Sequence, residues 1–136
     1  MKLKKLQMKN RITFILILLI SSFSFAQNGP KIEFKAADNT IDYGTVTKKK
    51  DNGIRSFEFT NTGNAPLIIS NILSTSGFSI SSKPTESIMP GKKGKIDIKY
   101  SMTPGPIRKT ITVESNAVNY DGGRIALKIK GEVIAD

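Results

Sequence analysis

The side chains that could do chemistry in this chain are lysines, carboxylates and three tyrosines; histidine and cysteine are absent. Without those two, the usual zinc sites cannot be built. Ser–His and Cys–His nucleophile pairs are excluded as well. The lysines gather as Lys48-Lys49-Lys50, as Lys92-Lys93-Lys95-Lys99 and as Lys128-Lys130. A basic patch can bind polyanions, but solvated strand faces and turns are the plainer reading of such runs. Among the carboxylates, Glu58, Asp97 and Glu114 fall on outward strand positions, and Asp121 belongs to a turn. No two of them can be paired for glycoside hydrolysis from spacing alone. Sugar recognition usually needs exposed aromatic platforms; there is no Trp, and Tyr43 and Tyr100 have the parity of core positions. Only Tyr120, beside a turn, is expected at the surface.

The N-terminus reads as a targeting segment. Lys2, Lys4, Lys5, Lys9 and Arg11 precede the apolar run Ile12 to Ile20, and Ser24-Phe25-Ala26 puts small residues where a signal peptidase reads them. This pattern predicts a secretory signal peptide over residues 1–26, cleaved after Ala26, with Met8 as an alternative start. Ile12 to Ala26 is 15 residues, short of the roughly 20 a spanning helix needs. There is no Cys at the cleavage site, which excludes a lipid anchor on that residue. The expected product, residues 27–136, suits one domain. The leader holds five of the 21 basic residues and no acid, so the remainder carries 16 basic residues against 11 acidic ones. That milder charge weakens any case for nucleic acid. With no cysteine, no disulfide framework supports an exported fold, and its stability must come from the core.

The elements that must position these groups read as strands throughout. Phe57 to Ser70 is central: Phe57 and Phe59 alternate with Glu58 and Thr60, the period of a half-buried strand. Asn61-Thr62-Gly63-Asn64 breaks the pattern, with Asn able to mimic a backbone turn and Gly63 free to take positive φ. Pro66 fits the start of the next strand, Leu67 to Leu73. Upstream, Lys31 to Lys35 and Thr40 to Val46 read as a first strand in two halves, interrupted at Ala36 to Asn39. Downstream, strands are expected at Phe78 to Ser82, Lys95 to Tyr100, Ile107 to Glu114 and from Arg124 onward. Met89-Pro90-Gly91 has the residues of a turn with positive φ at its glycine. Asp121-Gly122 marks a hairpin turn, and Gly131 suggests a bulge in the last strand. About seven short strands with no helical pattern predict an all-β, antiparallel sandwich. Phe57, Phe59, Ile96, Ile98, Ile111, Val113, Leu127 and Ile129 should fill its core.

The turn residues resemble a known family. Phe59-Thr60-Asn61-Thr62-Gly63-Asn64-Ala65-Pro66-Leu67, then Pro90-Gly91, then Val113-Glu114-Ser115-Asn116, resemble the bacterial domain-of-unknown-function family 1573. They are also similar to the immunoglobulin-like domains of ciliary Hydin and of the major sperm protein. The resemblance covers about Ile32 to Val133. It implies an immunoglobulin-like β-sandwich and an exported location, with no established activity. Many members carry Cys-Gly-Cys after the third strand, where this chain has Ser76-Gly77-Phe78. A redox or metal role tied to those cysteines does not carry over.

The expected function is therefore that of an exported, non-enzymatic interaction module of the cell envelope, periplasmic or secreted. The alternative is a structural or accessory subunit of an envelope assembly. No catalytic residues, metal or cofactor are expected, and the partner is a protein or other envelope component rather than nucleic acid. Rigid scaffolds usually carry recognition on loops. The loops expected to cluster at one end are Asn61 to Ala65, Pro84 to Lys93 and Asn119 to Gly123, with Asn64 and Tyr120 as candidate binding residues. An added strand on an open sheet edge is the other route.

Overall fold

The computed structural model describes residues 28–136. The leader expected over residues 1–26 lies outside them. Eight strands form: β1 (Ile32–Phe34), β2 (Thr40–Thr47), β3 (Ile54–Asn61), β4 (Ile69–Leu73), β5 (Phe78–Ser82), β6 (Lys93–Tyr100), β7 (Gly105–Ser115) and β8 (Arg124–Ile134). They make two four-stranded sheets, ordered β1-β3-β6-β5 and β2-β8-β7-β4. The alternation read along the sequence is what lets the two sheets face each other. All eight expected core residues are buried, and Ile32, Leu67, Ile107 and Ile125 join them. Two aromatic groups fill the interior. Phe34 meets Phe57 edge-on at 6.2 Å and Phe59 at 5.5 Å, while Phe78 lies 4.6 Å from Tyr100, with Tyr43 beside both.

The first strand does not continue across its interruption. β1 pairs antiparallel with β3 in one sheet, and β2 pairs parallel with β8 in the other. The count is therefore eight rather than about seven, and the second sheet is mixed rather than antiparallel. The cause is the 3-10 turn Ala37–Asn39. Asp38 and Asn39 both take positive φ there, 54° and 51°, which swings the chain from one sheet to the other. Asn accepts this region more readily than most residues. Ile32 and Phe34 thus enter the core from one side, and Tyr43 from the opposite side.

Three glycine and strand-end expectations need correction. The irregularity near Gly131 lies in its neighbour: the β2–β8 register shifts between Asp42 and Thr45, whereas Gly131 stays in register with Ile107. A Cβ on Gly131 would come within 2.8 Å of the Tyr43 Cβ, so glycine here permits the bulge opposite. Gly63 does not take positive φ. Its bare Cα instead admits the N-terminal segment, because a Cβ would sit 2.1 Å from the Gly29 carbonyl oxygen. Finally, β4 starts at Ile69, and Leu67 makes an isolated bridge with Ile88. The Met89–Lys92 turn closes as expected: the Lys92 N–H donates to the Met89 carbonyl at 3.0 Å, with Gly91 at φ 79°.

Candidate binding surfaces

The loops Asn61 to Ala65, Pro84 to Lys93 and Asn119 to Gly123 meet at one end of the sandwich, where β3 ends and β6 and β8 begin. Asn61 ties the first two of them to the N-terminal segment. It continues the inward parity of Phe57 and Phe59, and it is completely buried. Its Nδ2 donates to the carbonyls of Ala65 and Ile88, both at 2.8 Å. Its Oδ1 accepts the N–H of Gly63 at 2.9 Å and of Lys31 at 3.3 Å. A buried amide normally needs such partners to offset its desolvation. The sequence pointed to Asn61 only as a turn former; its inward parity was the overlooked signal.

The neighbouring asparagines act alike. Asn116 Oδ1 accepts the Ile68 N–H at 2.8 Å. Asn119 spans β1, accepting the Ile32 N–H at 3.1 Å and donating to the Ile32 carbonyl at 2.9 Å. Asn64, a candidate binding residue, is exposed but occupied: its Oδ1 accepts the Gly29 N–H at 2.7 Å, and its Nδ2 donates to Asn28. Tyr120, the other candidate, is half-buried against the core, and its hydroxyl accepts the Asn39 side-chain N–H at 3.1 Å. Both residues sit at this end, each bonded into a different part of the frame. Two apolar side chains are also exposed at this end: Met89 and Ile68, at 52% and 50%. The Leu67–Ile88 bridge sets Pro66 opposite Met89, with Ile68 on the same outward side.

The opposite end carries Lys48, Lys49 and Lys50, all exposed. Asp51 fixes the loop that presents them. Its carboxylate takes two bonds from Arg55, at 2.7 and 3.1 Å, and one from the Gly53 N–H at 2.7 Å. The Arg55 side-chain bonds, with the Gly53 N–H, hold the Asp51 carboxyl below its usual range. The Arg55 guanidinium lies 4.1 Å above the Tyr43 ring, a cation–π geometry. The Tyr43 hydroxyl donates to the Gly53 carbonyl at 2.7 Å. Burial pushes this phenol up to about 12, against the opposing pull of Arg55.

The remaining charges divide by sheet. On the outward face of the first sheet, Glu58 lies across from Lys95. Lys35 pairs with Glu58 at 3.4 Å, and Lys95 with Asp97 at 3.7 Å. Asp97 also accepts from the Ser56 hydroxyl, and Glu114 accepts from Asn71 at 3.3 Å. These carboxylates are thus engaged separately. Among the described residues no three His, Cys, Asp or Glu side chains are placed to hold a metal ion. On the second sheet, Lys128 and Lys130 of β8 are joined by Arg108 of β7, which faces Lys130 directly. Sequence reasoning missed Arg108, because cross-strand register is not written in either strand alone. No helix among the described residues is long and apolar enough to cross a membrane.

Residues 33–133 match the family described as "Protein of unknown function (DUF1573)". The chain belongs to this family. Solved structures place the DUF1573 chain among immunoglobulin-like sandwiches. A protein of unknown function from Porphyromonas gingivalis W83 superposes with a TM-score of 0.61 at 17% identity, covering 79% of this chain and 48% of that one. The ASH/PapD-like domain 7 of human CEP192 gives 0.53 at 13% identity, covering 82% and 92%. The VesB protease of Vibrio cholerae gives 0.57 at 14% identity, covering 75% and 32%. The chain thus spans about half of the Porphyromonas protein and a third of VesB. At these identities the likeness concerns the fold. No curated protein matches this chain.

Proposed function

We propose that this domain is an exported, non-enzymatic interaction module of the cell envelope, which holds a partner macromolecule at its loop end. One observation carries the reading: the asparagines of that end are spent on fixing the loops, while Met89, Ile68 and Pro66 are left outward. A loop set already ordered before binding loses little entropy on docking, and exposed apolar side chains rimmed by polar groups mark contact surfaces. Support for a non-enzymatic role is the lack of histidine and cysteine together with the separate engagement of Glu58, Asp97 and Glu114. Support for export is the leader ending in Ser24-Phe25-Ala26.

Photo-crosslinking in the producing cell tests the reading. A crosslinking residue placed at Ile68 or Met89 should yield one discrete adduct. The same residue at Ser79, on the outward face of β5, should not. Equal adducts from all three positions, or none from Ile68 and Met89, would count against the loop end.

A further inference from the structure

We propose that the outward face of the mixed sheet is a second docking surface, and that it receives an acidic polypeptide segment of a partner protein. Arg108 and Lys130 are direct cross-strand partners, and both are exposed. Like charges directly opposite one another destabilise a sheet, so the fold gains nothing from this pair. Lys128 stands two residues along β8, with Thr110 on one side and Thr40 on the other. None of the three cations takes part in an ion pair among the described residues. Asp42 lies beside Lys130, but its carboxylate accepts the Gly44 N–H at 2.8 Å. Glu132 faces Pro106 and is the next outward residue after Lys130. On the first sheet Glu58 and Asp97 form ion pairs with Lys35 and Lys95, whereas among the described residues neither Asp42 nor Glu132 forms one on this face.

The chemistry of the face selects the occupant. Arg108 offers a planar fork suited to a carboxylate. Beyond the cations the face turns neutral: Thr112 lies between Ala126 and the exposed Leu73. Carboxylates with an apolar side chain nearby are what an acidic peptide supplies. No aromatic ring stands in these rows to stack a sugar. A second copy of this chain offers no cluster of three or more acidic side chains among its described residues.

The test titrates the purified protein with a peptide of glutamates flanking one leucine, followed by backbone amide NMR. The amides of Arg108, Thr110, Lys128 and Lys130 should shift together. The double variant R108E/K128E should weaken binding about tenfold or more, whereas K93E/K99E, with the same change in net charge on the first sheet, should change it by less than about twofold. Arg108→Thr should weaken binding while raising the melting temperature, the signature of a pair kept for a partner. The proposal is overturned if both double variants lose binding alike, if Arg108→Thr lowers the melting temperature, or if dextran sulfate or anionic vesicles shift these amides and the peptide does not.

Discussion

Asn61 donates an amide hydrogen to the carbonyl of Ile88 at 2.8 Å, across 27 residues of sequence and in the buried interior. That bond and its three companions tie the β3–β4 turn, the loop before β6 and the N-terminal segment to one side chain. Replacing Asn61 by Ala takes this partner from the Ala65 carbonyl and from the part-buried Gly63 and Lys31 N–H groups, each loss worth about 1–3 kcal/mol, while the Ile88 carbonyl keeps the Leu67 N–H. Asn64→Ala removes only exposed bonds, worth about 0.5–1.5 kcal/mol apiece at most. Urea titration of both variants should show Asn61→Ala as clearly the more destabilised. Equal losses would mean that Asn61 is not the tie.

Phe59 and Gly94 form a matched pair. A Cβ on Gly94 would come within 2.5 Å of Phe59 Cζ. Phe59→Ala should cost about 3–5 kcal/mol, a large share of a typical stability of about 5–15 kcal/mol. Gly94→Ala alone should cost about 1–3 kcal/mol through overpacking. Phe59→Leu vacates the Cζ position, so the double variant Phe59→Leu with Gly94→Ala should lose less than the two single losses together. Strict additivity in thermal or urea melts would show that the two residues do not compete for one space.

The alkaline limb of stability should report on Tyr43. Its folded value is near 12, above the roughly 10 of an unfolded chain. The protonated phenol therefore favours the folded state. This contribution is fully present below about pH 10 and is lost as pH rises toward about 12. Asp51 runs the other way: its lowered value stabilises the fold above the ordinary carboxylate range and fades on acidification. Comparing the parent with Tyr43→Phe from pH 8 upward isolates the phenol from the lysines. The parent should lose more stability than the variant above about pH 10. Parallel curves would rule out the assignment.

The proposed export makes a prediction independent of the fold. Intact mass of the protein recovered from outside the cytoplasm should correspond to residues 27–136. A mass retaining residues 1–26 would remove the signal-peptide reading.

The core was legible because period two survives in short windows: Phe57 and Phe59, Ile96 and Ile98, Ile111 and Val113, and Leu127 and Ile129 each carry it, and all are buried. The sheet exchange at Ala37–Asn39 was not, because the alternation resumes identically on both sides and only backbone dihedrals reveal the change of partner. The parallel pairing of β2 with β8 has no local signature either. Gly63 illustrates a related limit. Its residue type was read correctly as special, yet the reason is an approaching segment more than thirty residues away in sequence, not its own φ. Asn64 is exposed as read, whereas Tyr120 is half-buried against the core, and the polar atoms of both are bonded to Gly29, Asn28 and Asn39.

The exchange between sheets also has a mechanical consequence. β2 runs parallel to β8, with Thr40 beside Lys128 and Thr47 beside Ile134. The chain before β1 leaves from the loop end, and the chain after β8 leaves from the other. Tension between Pro30 and Ile134 therefore acts along the strands, loading the β1–β3 and β2–β8 hydrogen bonds together in shear instead of peeling them one at a time. Bonds loaded in parallel share a force that would break them singly. A domain threaded in this way resists stretching along its own axis.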